Sequence, residues 1–202
     1  FMTDPRFWGW LWDMENEIRP LVPMVYYHVW DNKPYPMFNK THYDSNDKIF
    51  TISKVTDDIV KNVSPDVSRT YLPHAVDGEI FTPLTPEEKK SIREASLNEE
   101  DVNKTIFFWN NRNARRKQSG SLMFWFNDFL NKVGRDKATL VMHTEPFDPN
   151  GQDLVAIQKR LNLDEDQFKI STNKLSIEQL SVLYNSIDCT INISDAEGFG
   201  WQ

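Results

Sequence analysis

Apolar positions along the chain switch repeatedly between helical spacing and short unbroken runs. From Asp4-Pro5 a helix is expected through Trp8, Leu11, Trp12 and Ile18, stopped by Pro20. Met24 to Val29 carries no charge and is too short for a helix, so it reads as a buried strand. Lys48 to Ser53 is a second strand. Lys54 to Val63 is an amphipathic helix turning Val55, Ile59 and Val63 inward, and Arg69 to Pro73 is a short strand. Gly78 and Pro83 mark an extended connector. Thr85-Pro86-Glu87-Glu88 then opens a helix, with Thr at the N-cap, Pro in the first turn and Glu88 reaching back. That helix, running to about Leu97, offers only Ile92, Ala95 and Leu97 as apolar residues, which suits a surface or linker element.

From Thr105 the rhythm resumes. Strands are expected at Thr105–Trp109, Thr139–His143, Gln167–Ser171 and Cys189–Ile193. Between them lie helices at Ser119–Val133, Asp153–Leu161 and from Ser176, with Gln179 completing its cap. The first of these presents Leu122, Trp125, Phe126, Phe129, Leu130 and Val133 on one face. Strands alternating with helices of this length specify an α/β, doubly wound parallel sheet. The interruption between about Asp77 and Asn103 is the best domain boundary.

Composition narrows the function. With a net charge of −7 the chain lacks the dominant basic surface that nucleic acid requires, so nucleic acid is not an expected partner. The one cysteine, Cys189, cannot form an internal disulfide, which points to a reducing, cytoplasmic setting. No apolar run approaches the roughly 20 residues of a transmembrane helix. The aromatics near the amino terminus (Phe7, Trp8, Trp10, Trp12, Tyr26, Tyr27, Trp30) mostly fall at core spacing, so burial is expected of them. No Cys/His cluster has zinc spacing, and no metal site is expected.

In open parallel sheets ligands bind beyond the carboxyl ends of the strands. After Thr105–Trp109 the chain reads Asn110-Asn111-Arg112-Asn113-Ala114-Arg115-Arg116-Lys117, whose four cations suit a diphosphate or, equally, a solvated loop. After the last strand, Ser194-Asp195-Ala196-Glu197-Gly198-Phe199-Gly200 can turn tightly and expose backbone N–H groups to a phosphate, or can be an ordinary strand-to-helix turn. Glu197 is expected in the same crevice as Arg112 and Lys117. His28 ends a strand among aromatics, a position open to both a structural and a catalytic role.

Taken in order, Ile52-Ser53, Leu72-Pro73-His74-Ala75-Val76-Asp77, Phe81-Thr82-Pro83, Arg112 with Lys117, Leu183-Tyr184 with Asp188, and Ser194…Glu197-Gly198-Phe199-Gly200 resemble the retaining GT-B glycosyltransferases of the GT4 type. The resemblance covers about residues 50–202. It implies two Rossmann-like doubly wound domains, both incomplete here. Residues 1–77 would be the carboxyl-terminal part of the acceptor-side domain, 78–103 a linker and helix, and 104–202 a truncated nucleotide-sugar domain. It implies a nucleoside-diphosphate-sugar co-substrate in the interdomain cleft, an unidentified saccharide, lipid or protein acceptor, and no metal or other cofactor. Peripheral membrane contact of a longer protein stays open. Arg112 and Lys117 would neutralise the leaving diphosphate, and Glu197 would contact donor-sugar hydroxyls as the first Glu of the family's Glu-x7-Glu. The backbone of Gly198, Phe199 and Gly200 would hold phosphate or sugar oxygens, and His28 would lie near the transferred sugar. The second Glu would fall beyond Gln202, so the chain is expected to be a fragment. Asn111, Gln118 and Ala75 stand where the family has Gly. The alternative is a non-catalytic saccharide- or nucleotide-binding module, or an inactive fragment.

Overall fold

The computed structural model describes residues 1–99 and 101–200. Two compact units emerge among the described residues: Phe1–Ala75 joined by residues 196–200, and Val76–Asp195.

The first unit contains α1 (Pro5–Asp13), α2 (Glu15–Ile18), β1 (Val25–His28), α3 (Lys40–Asp44), β2 (Lys48–Thr51), α4 (Lys54–Val63) and β3 (Arg69–Tyr71). Its strands form a parallel sheet in the order β1-β2-β3, with Tyr26 opposite Ile49 and His28 opposite Thr51. Trp12, Tyr26, Tyr43, Ile49, Ile59, Val60 and Val63 make its core. Ser53 caps α4 by accepting from the Thr56 N–H at 3.1 Å, and the Thr56 hydroxyl donates to the Trp30 carbonyl at 2.9 Å, fixing the loop after β1. Three expectations need correction here. The long amino-terminal helix is broken at Met14, and Trp8 inside α1 has non-helical angles. Phe7, Trp8 and Trp10 are exposed, because α1 turns Pro5, Leu11 and Trp12 toward the core instead. Val55 is also exposed, because the buried stripe of α4 is Thr56, Ile59, Val60 and Val63, with Thr56 turned inward in the first turn.

The second unit contains α5 (Pro86–Ser96), β4 (Thr105–Asn110), α6 (Ser119–Val133), β5 (Ala138–His143), α7 (Leu154–Leu161), β6 (Phe168–Ser171), α8 (Ile177–Ser186) and β7 (Cys189–Thr190). The parallel sheet runs β6-β5-β4-β7. Both expected capping boxes, Thr85 with Glu88 and Ser176 with Gln179, are formed. No residue of α5 is buried, as its sparse apolar positions require. The buried stripe of α6 is Leu122, Met123, Phe126 and Leu130, packed on Trp109, Leu140 and Met142. Trp125, Phe129 and Val133 are exposed, contrary to the pattern drawn from spacing, since the helix turns Met123 rather than Trp125 onto the sheet. The expected strand Cys189–Ile193 shortens to two exposed residues, and β7 pairs with β4 at the edge of the sheet. Among the described residues no helix is long and apolar enough to cross a membrane.

Candidate functional site

In the second unit the strand order reverses between β4 and β7, so the loops after these strands flank the crevice where parallel sheets hold ligands. The two loops are tied together. The Asp195 N–H donates to the Arg116 carbonyl at 2.8 Å, and the Gln118 amide donates to both Asp195 carboxylate oxygens at 3.0 Å. Gln118 holds a left-handed backbone (φ 59°), a conformation that costs a side-chain-bearing residue more than glycine.

The loop after β4 is braced from inside. Asn113 is fully buried; its amide donates to the Pro146 and Gln152 carbonyls and its carbonyl oxygen accepts from the Ser119 hydroxyl at 2.7 Å. Gln152 accepts from the Gly120 N–H, satisfying the amino end of α6. Gly151 passes so close that a Cβ there would lie 1.9 Å from the Asn113 carbonyl oxygen.

This bracing leaves Arg112 projecting outward. Its guanidinium forks onto Asp148, with Nε–Oδ2 at 2.6 Å and Nη2–Oδ1 at 3.2 Å, while the side chain stays 65% exposed. The fork raises the Arg112 pKa and holds the Asp148 carboxyl below its usual range. Both residues line a cleft of about 440 Å³ at the carboxyl ends of β4, β5 and β6, which His143, Thr144 and Lys174 also line. Lys117 is buried in the short 3-10 turn of Arg115–Lys117.

In the first unit β1 ends on His28, whose ring is sealed. Nδ1 lies 2.8 Å from the Tyr26 hydroxyl and Nε2 lies 2.6 Å from the Tyr43 hydroxyl. Tyr26 donates its proton to the Thr3 carbonyl, so its oxygen accepts from His28 Nδ1–H, and Nε2 must accept from Tyr43. Asn39 completes the chain by donating to Tyr43. Burial pushes the His28 pKa down to about 3, so the ring is neutral. Both nitrogens are therefore engaged within the core, and the histidine expected near a transferred sugar has neither left for a ligand.

Glu197, Gly198, Phe199 and Gly200 belong to the first unit, where their loop meets the end of β1. A Cβ on Gly198 would lie 3.1 Å from the Val29 carbonyl oxygen. Phe199 meets His74 edge-on at 5.5 Å, and His74 stacks on Tyr27 at 5.2 Å. Gly200 is left-handed (φ 83°), the turn its sequence context suggested. The structure thus brings the glycine-flanked loop, His74 and the end of β1 together in one unit, and Arg112, Lys117 and Asp195 together in the other. Asp148, Asn113 and Gln152 were not singled out from the sequence; the turn Asp148-Pro149-Asn150-Gly151 in the loop after β5 is a signal for the first and last of them.

No family model matches the sequence, and a search of curated proteins finds no match. Solved structures do match. The α,α-trehalose 6-phosphate synthase of Burkholderia multivorans aligns with a TM-score of 0.72 at 12% identity, over 94% of this chain and 50% of that one. The Candida albicans trehalose-6-phosphate phosphatase N-terminal domain aligns at 0.72 and 14% identity, over 95% and 50%. Anabaena HepE, solved in complex with UDP and glucose, aligns at 0.63 and 14%, over 88% and 48%. The chain therefore has the α/β, parallel-sheet fold of GT-B type, and spans about half the length of the structures it matches.

Proposed function

We propose that this chain is part of a glycosyltransferase that moves a sugar from a nucleoside diphosphate to an acceptor hydroxyl with retention of configuration and without a metal. The observation that carries the reading is the loop after β4, which is bonded through Asp195 to the segment leading into Glu197-Gly198-Phe199-Gly200, at the strand-order reversal. Similarity in fold to proteins solved with UDP and glucose, or with UDP-2-fluoro glucose, supports it.

Departure of the diphosphate builds negative charge on phosphate oxygens and positive charge on the sugar. Arg112, a planar fork about two-thirds exposed, and Lys117, a point charge in the buried turn that follows, stabilise the departing anion. Glu197 accepts from sugar hydroxyls, and the backbone N–H groups of Gly198, Phe199 and Gly200 donate to phosphate or sugar oxygens. As the acceptor oxygen bonds to the anomeric carbon and the sugar–phosphate bond breaks, the acceptor's proton passes to the departing phosphate oxygen. His28, neutral and doubly hydrogen-bonded, plays no part in that transfer; it holds the end of β1 in place.

Thermal unfolding with UDP, GDP and ADP tests the reading. A nucleotide at 100 times its Kd stabilises a fold by about 2.7 kcal/mol. We expect one of the three to do so, and Arg112→Ala or Lys117→Ala to weaken its binding by about tenfold or more. Absence of any nucleotide-dependent shift overturns the proposal.

A further inference from the structure

The first unit holds a second cavity, of about 230 Å³, at the carboxyl end of β1, between Thr3–Arg6 and His28–Asn32. Three features of its wall define what it can take. The Trp30 indole is half-buried and fixed, its Nε1–H donating to the Asn32 carbonyl at 3.0 Å and its ring meeting Phe38 edge-on. Arg6 forks onto Asp4 through Nε at 2.9 Å and 3.0 Å, and lies 5.6 Å from the Trp30 ring centre. The Asp31 carboxylate makes no hydrogen bond or ion pair among the described residues.

The charge balance decides the ligand class. Arg6 is neutralised by Asp4, which leaves Asp31 as the surplus charge, so the wall is net negative and repels phosphates and carboxylates. A fixed aromatic face beside an unpartnered carboxylate suits a neutral polyol: C–H groups lie on the indole while two vicinal hydroxyls donate to the carboxylate. The volume is below the roughly 300–1,000 Å³ of drug-sized sites, so it admits about one ring. Val29, one wall of the cavity, is the residue whose carbonyl Gly198 approaches, which sets the cavity beside the glycine-flanked loop.

We infer that this cavity binds one ring of a neutral saccharide and, given the glycosyl transfer proposed above, presents its hydroxyl as the acceptor. Trp30 and Asp31 are its binding residues, and Asp4 holds Arg6 at the indole's side of the wall.

Calorimetric titration of the chain with methyl glycosides of glucose, galactose and mannose, against glucose 6-phosphate as the anionic probe, tests this. At least one neutral glycoside should saturate at millimolar concentration and bind at least tenfold tighter than the phosphate. Asp31→Ala and Trp30→Ala should each weaken it about tenfold or more, with nucleotide binding unchanged. Equal or tighter binding of glucose 6-phosphate, saturation indifferent to Asp31→Ala, or no saturation by any neutral glycoside overturns the inference. Asp31 is a surface-loop residue, so its variant decides the matter even if Trp30→Ala fails to fold. Neutral-sugar binding through Asp31 without any nucleotide binding would retain the cavity and remove the transferase; nucleotide binding without sugar binding would do the reverse.

Discussion

The leading strands of the two units, β1 and β4, end in opposite ways. β1 ends on a histidine shut inside the core by Tyr26 and Tyr43, with its exposure reduced to 1%. β4 ends on a loop whose Arg112 is thrust into solvent and held by one carboxylate. Both residues occupy the strand end that parallel sheets use for ligands. Position alone therefore locates a group without deciding whether it is accessible. What decides is the neighbouring packing: α3 swings Tyr43 over His28, whereas Asn113 and Gln152 fill the space beneath the β4 loop and leave Arg112 outside it, with Lys117 turned in.

The sharpest way to break this contrast is to remove the brace. Gly151→Ala drives a Cβ into the Asn113 carbonyl oxygen, and with backbone on both sides neither can yield without shifting the loop. We expect a loss of about 3 kcal/mol in urea unfolding. Gly78→Ala, where nothing lies within 4 Å of the new Cβ, should change stability by less than about 0.5 kcal/mol. Equal effects of the two would show that the β4 loop is not braced as described.

The sealed histidine makes its own prediction in pH. The folded ring takes its proton only near pH 3, while an unfolded histidine takes it near 6.5. Between those values the unfolded chain holds the extra proton, so acid favours unfolding and stability rises with pH up to about 6.5. From pH 7 to pH 5 the loss should be about 2 kcal/mol. The carboxylates whose pKa values are lowered, such as Asp4 and Asp101, titrate below this window and leave it clear. His28→Phe should flatten the slope and, by taking the acceptor from the buried Tyr43 O–H, cost about 2 kcal/mol at pH 7. A wild-type slope as flat as the variant's would mean the ring is not buried neutral.

These cases also mark how far the amino-acid pattern carries. Helix starts written in local chemistry, Thr85 with Glu88 and Ser176 with Gln179, were legible because capping needs only neighbours within three residues. Strand centres were legible because continuous apolar runs have one use in such a fold. Which aromatics are buried was not: Trp12 and Trp10 differ by two positions on one helix, and only tertiary packing makes the first core and the second surface. The cations after β4 and the glycine-flanked loop stood out by composition. Asp148 and Gln152 did not, since their partners Arg112 and Gly120 lie more than 30 residues away and nothing local announces the pairing.

A smaller effect sharpens the contrast at Arg112. Asp148 and an incoming diphosphate compete for the same guanidinium, and with the Arg112 side chain mostly in solvent the pair is weak. Asp148→Asn keeps the shape and removes the charge. Nucleotide binding in calorimetry should then tighten by about two- to fivefold. Weaker binding would mean that Asp148 aims Arg112 at the ligand rather than competing with it.

The smallest effect lies at Gln118, where two opposing contributions meet. Its left-handed backbone disfavours any residue but glycine, by about 1 kcal/mol, and its amide fork onto Asp195 offsets part of that. Gln118→Ala keeps the strain and loses the fork, so stability should fall by about 0.5 kcal/mol. Gln118→Gly loses the fork and relieves the strain, for a net gain of about 0.5 kcal/mol. The two variants should therefore straddle the wild type in thermal unfolding. If both fall below it, the Asp195 fork is worth more than the backbone strain, and the tie between the loops after β4 and β7, rather than the turn itself, is what holds the crevice in shape.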